Sequence, residues 1–214
     1  MGWINRRVVS RVGLYSVAAM VAYSIYAHSN VPVETDEEYC ERTGRVKIHG
    51  RFFKYDVYEN GEMKTISDML MRGCNGEASC EIDRAYQYVL SIPYQESGGN
   101  RTPSEVINQN GGDCDEKSYL LATLLLQQGH RCVFVTTKDH GFIAVHVEDD
   151  HLLKRPLSYL TIDAKKYYFA ETTWTHGYIG QYNDVEVHDV DAVFDMVAKK
   201  EVPLSKVEWS IAKI

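Results

Sequence analysis

Residues 111–130 read GGDCDEKSYLLATLLLQQGH, a glycine pair, an aspartate and a cysteine ahead of a long apolar run. Tyr119, Leu120, Ala122, Thr123, Leu124 and Leu126 leave little polar surface at helical spacing, which predicts a buried central helix, with Gly129 in the usual position past its end. Cys114 then stands in the first turn. A helix N-terminus favours a thiolate, because its unpaired N–H groups and partial positive charge face the sulfur. Gly111 and Gly112 let the backbone approach closely or take positive φ, and the Cys114 amide becomes available to an oxyanion. Asp115 and Glu116 suit a first turn, although their charges oppose the thiolate. On these residues alone, a nucleophile and a small buried cysteine are even readings.

Downstream of this helix the hydrophobic period changes from 3.6 to 2. RCVFVTTK (131–138), HGFIAVHVE (140–148) and KKYYFAETT (165–173) read as three strands of an antiparallel meander, with turn-like sequence between them. Toward the C-terminus, DVEVHDV (184–190) reads as a further strand, residues 192–199 as a short helix, and KVEWSIAKI (206–214) as a final edge strand. Upstream, SCEIDRAYQYVLS (79–91) places Ile82, Ala85, Tyr86, Val89 and Leu90 on one helical face, and Pro93 stops it. A polar loop over 95–110 leads into the glycine pair. Two short strands are expected around Gly50 within RVKIHGRFFKYDVY (45–58), with ENGE as a turn. Helices first and sheet after make the class α+β.

A thiolate needs a group that accepts its proton and later returns it to the leaving group, usually a histidine oriented by a carboxylate or amide. His140 and His146 share one face of the second strand, and periodicity does not choose between them. Glu171, at the end of the third strand, and Asp163, in the preceding turn, are the candidate orienting acids; a strand end is the better placed.

The segments SIPYQE (91–96), PSEVINQNGGDCDEKSYLLATLLLQQGHRC (103–132), HGFIAVHVE and YYFAETTW (167–174) together resemble the core of the transglutaminase-like superfamily, especially its bacterial and archaeal cysteine-peptidase-like members. The resemblance covers residues 82–174. It implies a papain-like core, with a central helix bearing the cysteine packed on an antiparallel sheet bearing the other two catalytic residues. His140, followed by Gly141, Phe142 and alternating aliphatics, matches the family's histidine, and His146 falls where the family varies. Glu171-Thr172-Thr173 occupies the place of an aspartate before Pro-Thr, so the acid is one methylene longer. The implied catalytic set is Cys114, His140 and Glu171. Tyr94 matches a tyrosine common in these relatives, as a site-lining residue or a second oxyanion donor. Gln87 and Gln95 are weaker candidates for that role, and Leu90 stands where relatives carry glutamine. The implied activity is attack on an amide acyl group of a protein or peptide substrate, most directly a cysteine peptidase. The alternatives are a protein cross-linking transglutaminase, or a silent binding module of the same fold.

The 214 residues suit one domain and a short appendage. A net charge of -7 leaves no basic stripe to displace counterions from phosphates, so nucleic acid is not an expected partner. No cofactor is expected. CNGEASC (74–80) lacks a second ligand pair at zinc spacing, and the acidic clusters at 148–150 and 184–191 lack a calcium-loop spacing, so no metal site is assigned.

Near the N-terminus, Arg6, Arg7 and Arg11 precede residues 12–27, which carry no charge. Sixteen residues make a helix of about 24 Å, extended by Val8 and Val9 toward a bilayer core of about 30 Å. Acidic residues follow at Glu34, Asp36, Glu37 and Glu38, so the positive-inside rule predicts a cytoplasmic N-terminus and an extracytoplasmic catalytic part. A cleaved signal peptide, with Ala22-Tyr23-Ser24 as its small-residue site, would export the same domain. The expected organisation is a membrane anchor or signal over 1–29, a linker and short β region over 30–75, and the catalytic domain over 76–214. Among the five cysteines, Cys74 with Cys80 closes the shortest disulfide loop, and Cys132 reads as a plain buried thiol.

Overall fold

Tyr119 to Leu125 are buried without exception, so the helix that begins at Cys114 sits inside the molecule and the other elements are arranged around it. The computed structural model describes residues 45–48, 51–54, 61–97, 101–153, 156–181 and 186–212. The expected membrane segment, most of the linker and Cys40 lie outside the described residues. Among the described residues no helix is long and apolar enough to cross a membrane.

Two short strands, β1 (Arg45–Ile48) and β2 (Arg51–Lys54), pair only with each other. Four helices follow: α1 (Gly61–Leu70), α2 (Ala78–Ser91), α3 (Pro103–Gln109) and α4 (Cys114–Leu126). α1 lies where the sequence reads as turn and linker. Only Met63 and Ser67 of it are buried, too few apolar positions to register as a periodic face, yet the Ser67 hydroxyl donates to Leu124 O at 2.8 Å and ties α1 to α4. The packed body therefore starts ahead of residue 76. A disulfide joins Cys74 to Cys80 at the entry to α2. α2 buries Ile82, Ala85, Tyr86, Val89 and Leu90, the face its periodicity marks.

Seven strands form one antiparallel sheet: β3 (Cys132–Thr137), β4 (Gly141–His146), β5 (Tyr159–Ile162), β6 (Lys165–Ala170), β7 (Val190–Asp195), β8 (Lys200–Val202) and β9 (Glu208–Ser210), in the spatial order β8-β7-β3-β4-β6-β5-β9. The class is α+β. Both edge strands are joined by residues 203–207 alone. Six Cα steps reach at most about 20 Å, whereas seven flat strands at about 4.8 Å spacing would hold their edges about 29 Å apart, so the sheet curls. The curl gives it two apolar faces. Cys132, Phe134, Ile143, Val145, Tyr168, Ala170 and Phe194 join the helices in one core. Val133, Val135, Phe142, Ala144, Phe169 and Val193 form a second with Leu160, Val202 and Val207 inside the curl.

Several sequence expectations are corrected: the polar loop expected over 95–110 holds α3, capped by Thr102 and Glu105, and Val187–Asp189, within the strand expected over 184–190, is a short 3-10 turn. The helix expected over 192–199 is strand β7, paired with β3 through Phe134↔Phe194 and Val135↔Val193, followed by a tight turn into β8. VDAVFD packs Val190 and Val193 on one face of an interior strand and Ala192 and Phe194 on the other, and a run this short does not separate the two periods. Strand β5 falls in sequence read as turn; Asp163 and Ala164, both at positive φ, make the two-residue hairpin that joins it to β6.

Candidate active site

The site is built on the first turn of α4. Asp113 is its N-cap: the carboxylate accepts from the Glu116 amide at 3.1 Å, and Glu116 Oε2 accepts from the Asp113 amide at 3.1 Å. Lys117 N donates to Asp113 O. These bonds leave the Cys114 amide uncommitted among the described hydrogen bonds, at the positive end of the helix. Glu116 is only 3% exposed and holds more than the cap. Its Oε1 accepts from Ser97 Oγ at 2.6 Å and from Arg101 N at 2.7 Å, while Arg101 Nη1 donates to Gly111 O at 2.9 Å. The loop ahead of the helix is thus tied to the turn that presents the cysteine.

Both glycines in that turn have close neighbours. A Cβ at 111 would overlap the Gln95 side-chain oxygen, and one at 112 would lie 3.2 Å from Val106 Cγ1 and 3.3 Å from Lys117 Cγ. Along their open side runs residues 93–95: Tyr94 forms an isolated parallel bridge with Gly112, and Gln95 N donates to Gly112 O at 2.9 Å.

His140 closes the β3–β4 hairpin, where its main chain exchanges hydrogen bonds with Thr137. Its Nε2 lies 2.7 Å from Glu171 Oε2. That leaves Nδ1 for the side of the ring on which Cys114 acts. The acid and the histidine meet because β4 and β6 are antiparallel with Ile143 opposite Ala170, so the start of one strand adjoins the end of the other. Glu171 is 2% exposed and both its oxygens are engaged, since Oε1 accepts from Thr173 N at 2.9 Å and Thr173 Oγ1 at 2.7 Å. The buried Tyr86 hydroxyl donates to Glu171 O at 2.7 Å. Helix and sheet are locked one turn below the sulfur: Ser118 Oγ donates to Gly141 O at 3.2 Å and sits 3.1 Å from Thr172 Oγ1.

Burial by itself lowers the imidazole's pKa, but the hydrogen bonds and charges of Cys114 and Glu171 outweigh it and push His140 up to about 10 from an ordinary 6.5. Burial works against the Glu171 carboxylate as well, and its bonds to His140 and Thr173 nonetheless hold it below the usual range. Both shifts describe an imidazolium held between an acid and a sulfur. The sulfur also faces Asp115 Oδ1 at 3.6 Å.

The remaining sequence candidates divide. Tyr94 is 49% exposed, and burial first, then the charge of Cys114, raise the pKa of its phenol. Gln87 is elsewhere. Its amide nitrogen donates to Asp83 Oδ1 at 3.4 Å and Gly177 O at 3.3 Å, in a groove of about 610 Å³ behind Tyr86, so the oxyanion role considered for Gln87 has no geometry to support it. Gln95 Oε1 is taken by Arg101 at 3.1 Å. His146 sits at the far end of β4, about 20 Å along the strand from His140, with its Nδ1 against Lys166 O. Asp163 turns at the opposite end of β6 from Glu171.

No protein-family profile matches the chain, and no curated protein does. Among solved structures it is similar to a "Putative Cysteine Protease from Cytophaga hutchinsonii", at 8% identity and a TM-score of 0.41, over 71% of this chain and 46% of that one. The chain spans less than half of that structure's length.

Sequence reading did not find Glu116, Lys117, Ser118 or Tyr86 as supports of the site. Three are polar residues on a helix turn, where exposure is the ordinary expectation, and the helical period of Tyr86 marks only that it is buried.

Proposed function

We propose that this protein is a transglutaminase-like thiol enzyme that cleaves the amide bonds of a protein or peptide substrate through Cys114, His140 and Glu171. The observation that carries the reading is one imidazole 2.7 Å from a buried carboxylate, with a helix-N-terminal thiol acting on the same ring.

In this reading the Cys114 thiolate attacks the amide carbon. A C–S bond forms, and the carbonyl electrons move to oxygen, which the Cys114 N–H meets, with Tyr94 beside it. Collapse of the adduct breaks the C–N bond, and the departing nitrogen takes the proton from His140. Neutral His140 then accepts a proton from water as it attacks the thioester, and the sulfur leaves as thiolate. Glu171 keeps the ring oriented and stabilises its charged form, as a buried carboxylate does for other catalytic histidines.

Alkylation by iodoacetamide near neutral pH tests the assignment. Cys114 is expected to react fast in the native protein, and His140→Ala to slow it by about 10²- to 10⁴-fold; equal rates would leave a binding module of the same fold as the better description. With a peptide amide as substrate, adding a primary amine separates hydrolysis from cross-linking, since amine-capped product marks the latter.

We further propose that the domain acts outside the cytoplasm, held by or released from the apolar segment at 12–27. The Cys74–Cys80 disulfide supports this, because such bonds persist in oxidising compartments. Protease accessibility of the domain in intact cells tests it: protection from added protease would overturn the proposal.

A further inference from the structure

Lys117 is a charged residue buried beneath the nucleophile, at 1% exposure, and the mechanism above does not use it. Desolvation of an ammonium is costly unless something nearby stabilises it. Here the Nζ donates to Ile92 O at 2.6 Å, and the Glu171 carboxylate acts on it through its charge. Burial lowers its pKa to about 8 from 10.5, against the opposing pull of Glu171. The aliphatic stem runs beside Gly112, with Cγ 3.3 Å from where a Cβ on that glycine would stand.

The two ends of this side chain touch the two backbone segments that flank the sulfur. Ile92 opens the segment Ile92-Pro93-Tyr94-Gln95, and Gly112 belongs to the turn that presents Cys114. The backbones of the two segments are joined by two bonds, Gln95 N to Gly112 O at 2.9 Å and Gly112 N to Pro93 O at 3.4 Å, which make the Tyr94↔Gly112 bridge, and Arg101 Nη1 links Gln95 Oε1 to Gly111 O from the outside. Both are made by a glycine, which has no side chain to pack across the gap. Lys117 fills it from below.

We propose that Lys117 is a positioning residue, a strut that holds the Tyr94 segment in register against the Gly112–Cys114 turn, so that the wall facing the oxyanion stays aligned with the nucleophile. It touches neither substrate nor the reacting atoms. Its effect on turnover rests on the thiol-enzyme reading of Cys114; its effect on the backbone does not.

The test uses Lys117→Met, which keeps most of the stem and removes the charge and the donor. Hydrogen exchange is expected to accelerate at least ten-fold at the Gln95 and Gly112 amides, with strands β3, β4 and β6 unchanged. Alkylation of Cys114 by iodoacetamide is expected to stay within about two-fold, because the His140–Glu171 pair remains, while kcat on a peptide amide falls at least ten-fold. A merely structural role would loosen the sheet and slow alkylation along with turnover. Lys117→Gln, shorter and neutral but still a donor, is expected to give the same local acceleration at smaller size. Unchanged exchange at Gln95 and Gly112 in either folded variant overturns the proposal, and so does failure of both variants to fold. If the wild-type chain turns over no amide substrate, it is the function assigned to Cys114 that fails, and the exchange result still decides the strut.

Discussion

The two ends of α4 are built from the same parts and do different things. Each has a free cysteine close in sequence and a histidine–carboxylate pair. At the start, Cys114 is half-buried and His140 meets Glu171 at 2.7 Å; past the end, Cys132 is buried and His130 meets Glu81 at 2.8 Å. The difference lies in where each sulfur points its chemistry. Cys114 acts on the imidazole that meets Glu171 and has the helix amides behind it. Cys132 sits in the apolar core facing α2 and α4, where burial, then the charge of Asp195, push its thiol well above the ordinary range. A thiol and an imidazole in one neighbourhood are not a site; the imidazole must bridge the thiol and the acid.

The largest effect expected from this contrast is loss of turnover. Cys114→Ala should reduce kcat to background, a fall of about 10⁴-fold or more, whereas Cys132→Ala should leave kcat within about two-fold and lower stability by about 1 kcal/mol for the methyl-sized void. Mass mapping after brief alkylation checks the same point, and preferential labelling of Cys132 would erase the distinction.

Next is the response to pH. The His140 value of about 10 lies above the ordinary 6.5, so the folded state binds a proton that the unfolded chain releases earlier. Its stabilisation is therefore complete below about pH 6.5 and is lost progressively as pH rises through about 10. Glu171→Gln removes the carboxylate, brings the His140 value down and narrows that window. Denaturation midpoints should fall more between pH 6 and pH 10 in the wild type than in Glu171→Gln, and the alkaline limb of kcat/KM should move to lower pH in the variant. A wild-type midpoint that rises over this range would contradict the pair as described.

A smaller effect concerns space beside the histidine. A Cβ on residue 141 would overlap Asp115 Oδ1 and lie 3.0 Å from the Phe134 ring, so Gly141→Ala should destabilise the fold by about 1 to 3 kcal/mol, read by denaturant titration. Smallest is Ser118→Ala, which removes the hydroxyl between Gly141 O and Thr172 Oγ1 and should lower stability by about 1 kcal/mol. The matching change at the other end, Glu81→Gln, is expected to lower stability without altering kcat, which keeps the two pairs separable.

Much of this arrangement is legible in the order of residues. The glycine pair, aspartate and cysteine before a run of leucines state a helix start inside a core, because local capping chemistry and all-round apolarity act over a few residues. Strands β3, β4 and β6 show as alternating or continuous apolar runs for the same reason. β5 and β7 do not: a four-residue strand between turn signals and a VDAVFD run carry too little period to classify, and both owe their conformation to neighbours already in the sheet. Among candidate residues, the helix end singles out Cys114 but leaves nucleophile and buried thiol even, and the resemblance favours the nucleophile. Choosing His140 over His146 required the resemblance, since strand spacing treats the two alike, whereas Glu171 was preferred to Asp163 by its place at a strand end.

The chain by itself therefore determined the elements whose physics is local: the capped helix, the period of the main strands and the chemistry available at position 114. The curl of the sheet, the place of Gln87 behind Tyr86 and the burial of Glu116, Lys117 and Ser118 under the sulfur were decided by tertiary structure alone. Each depends on which distant segments share a face, and no periodicity within a single segment records that.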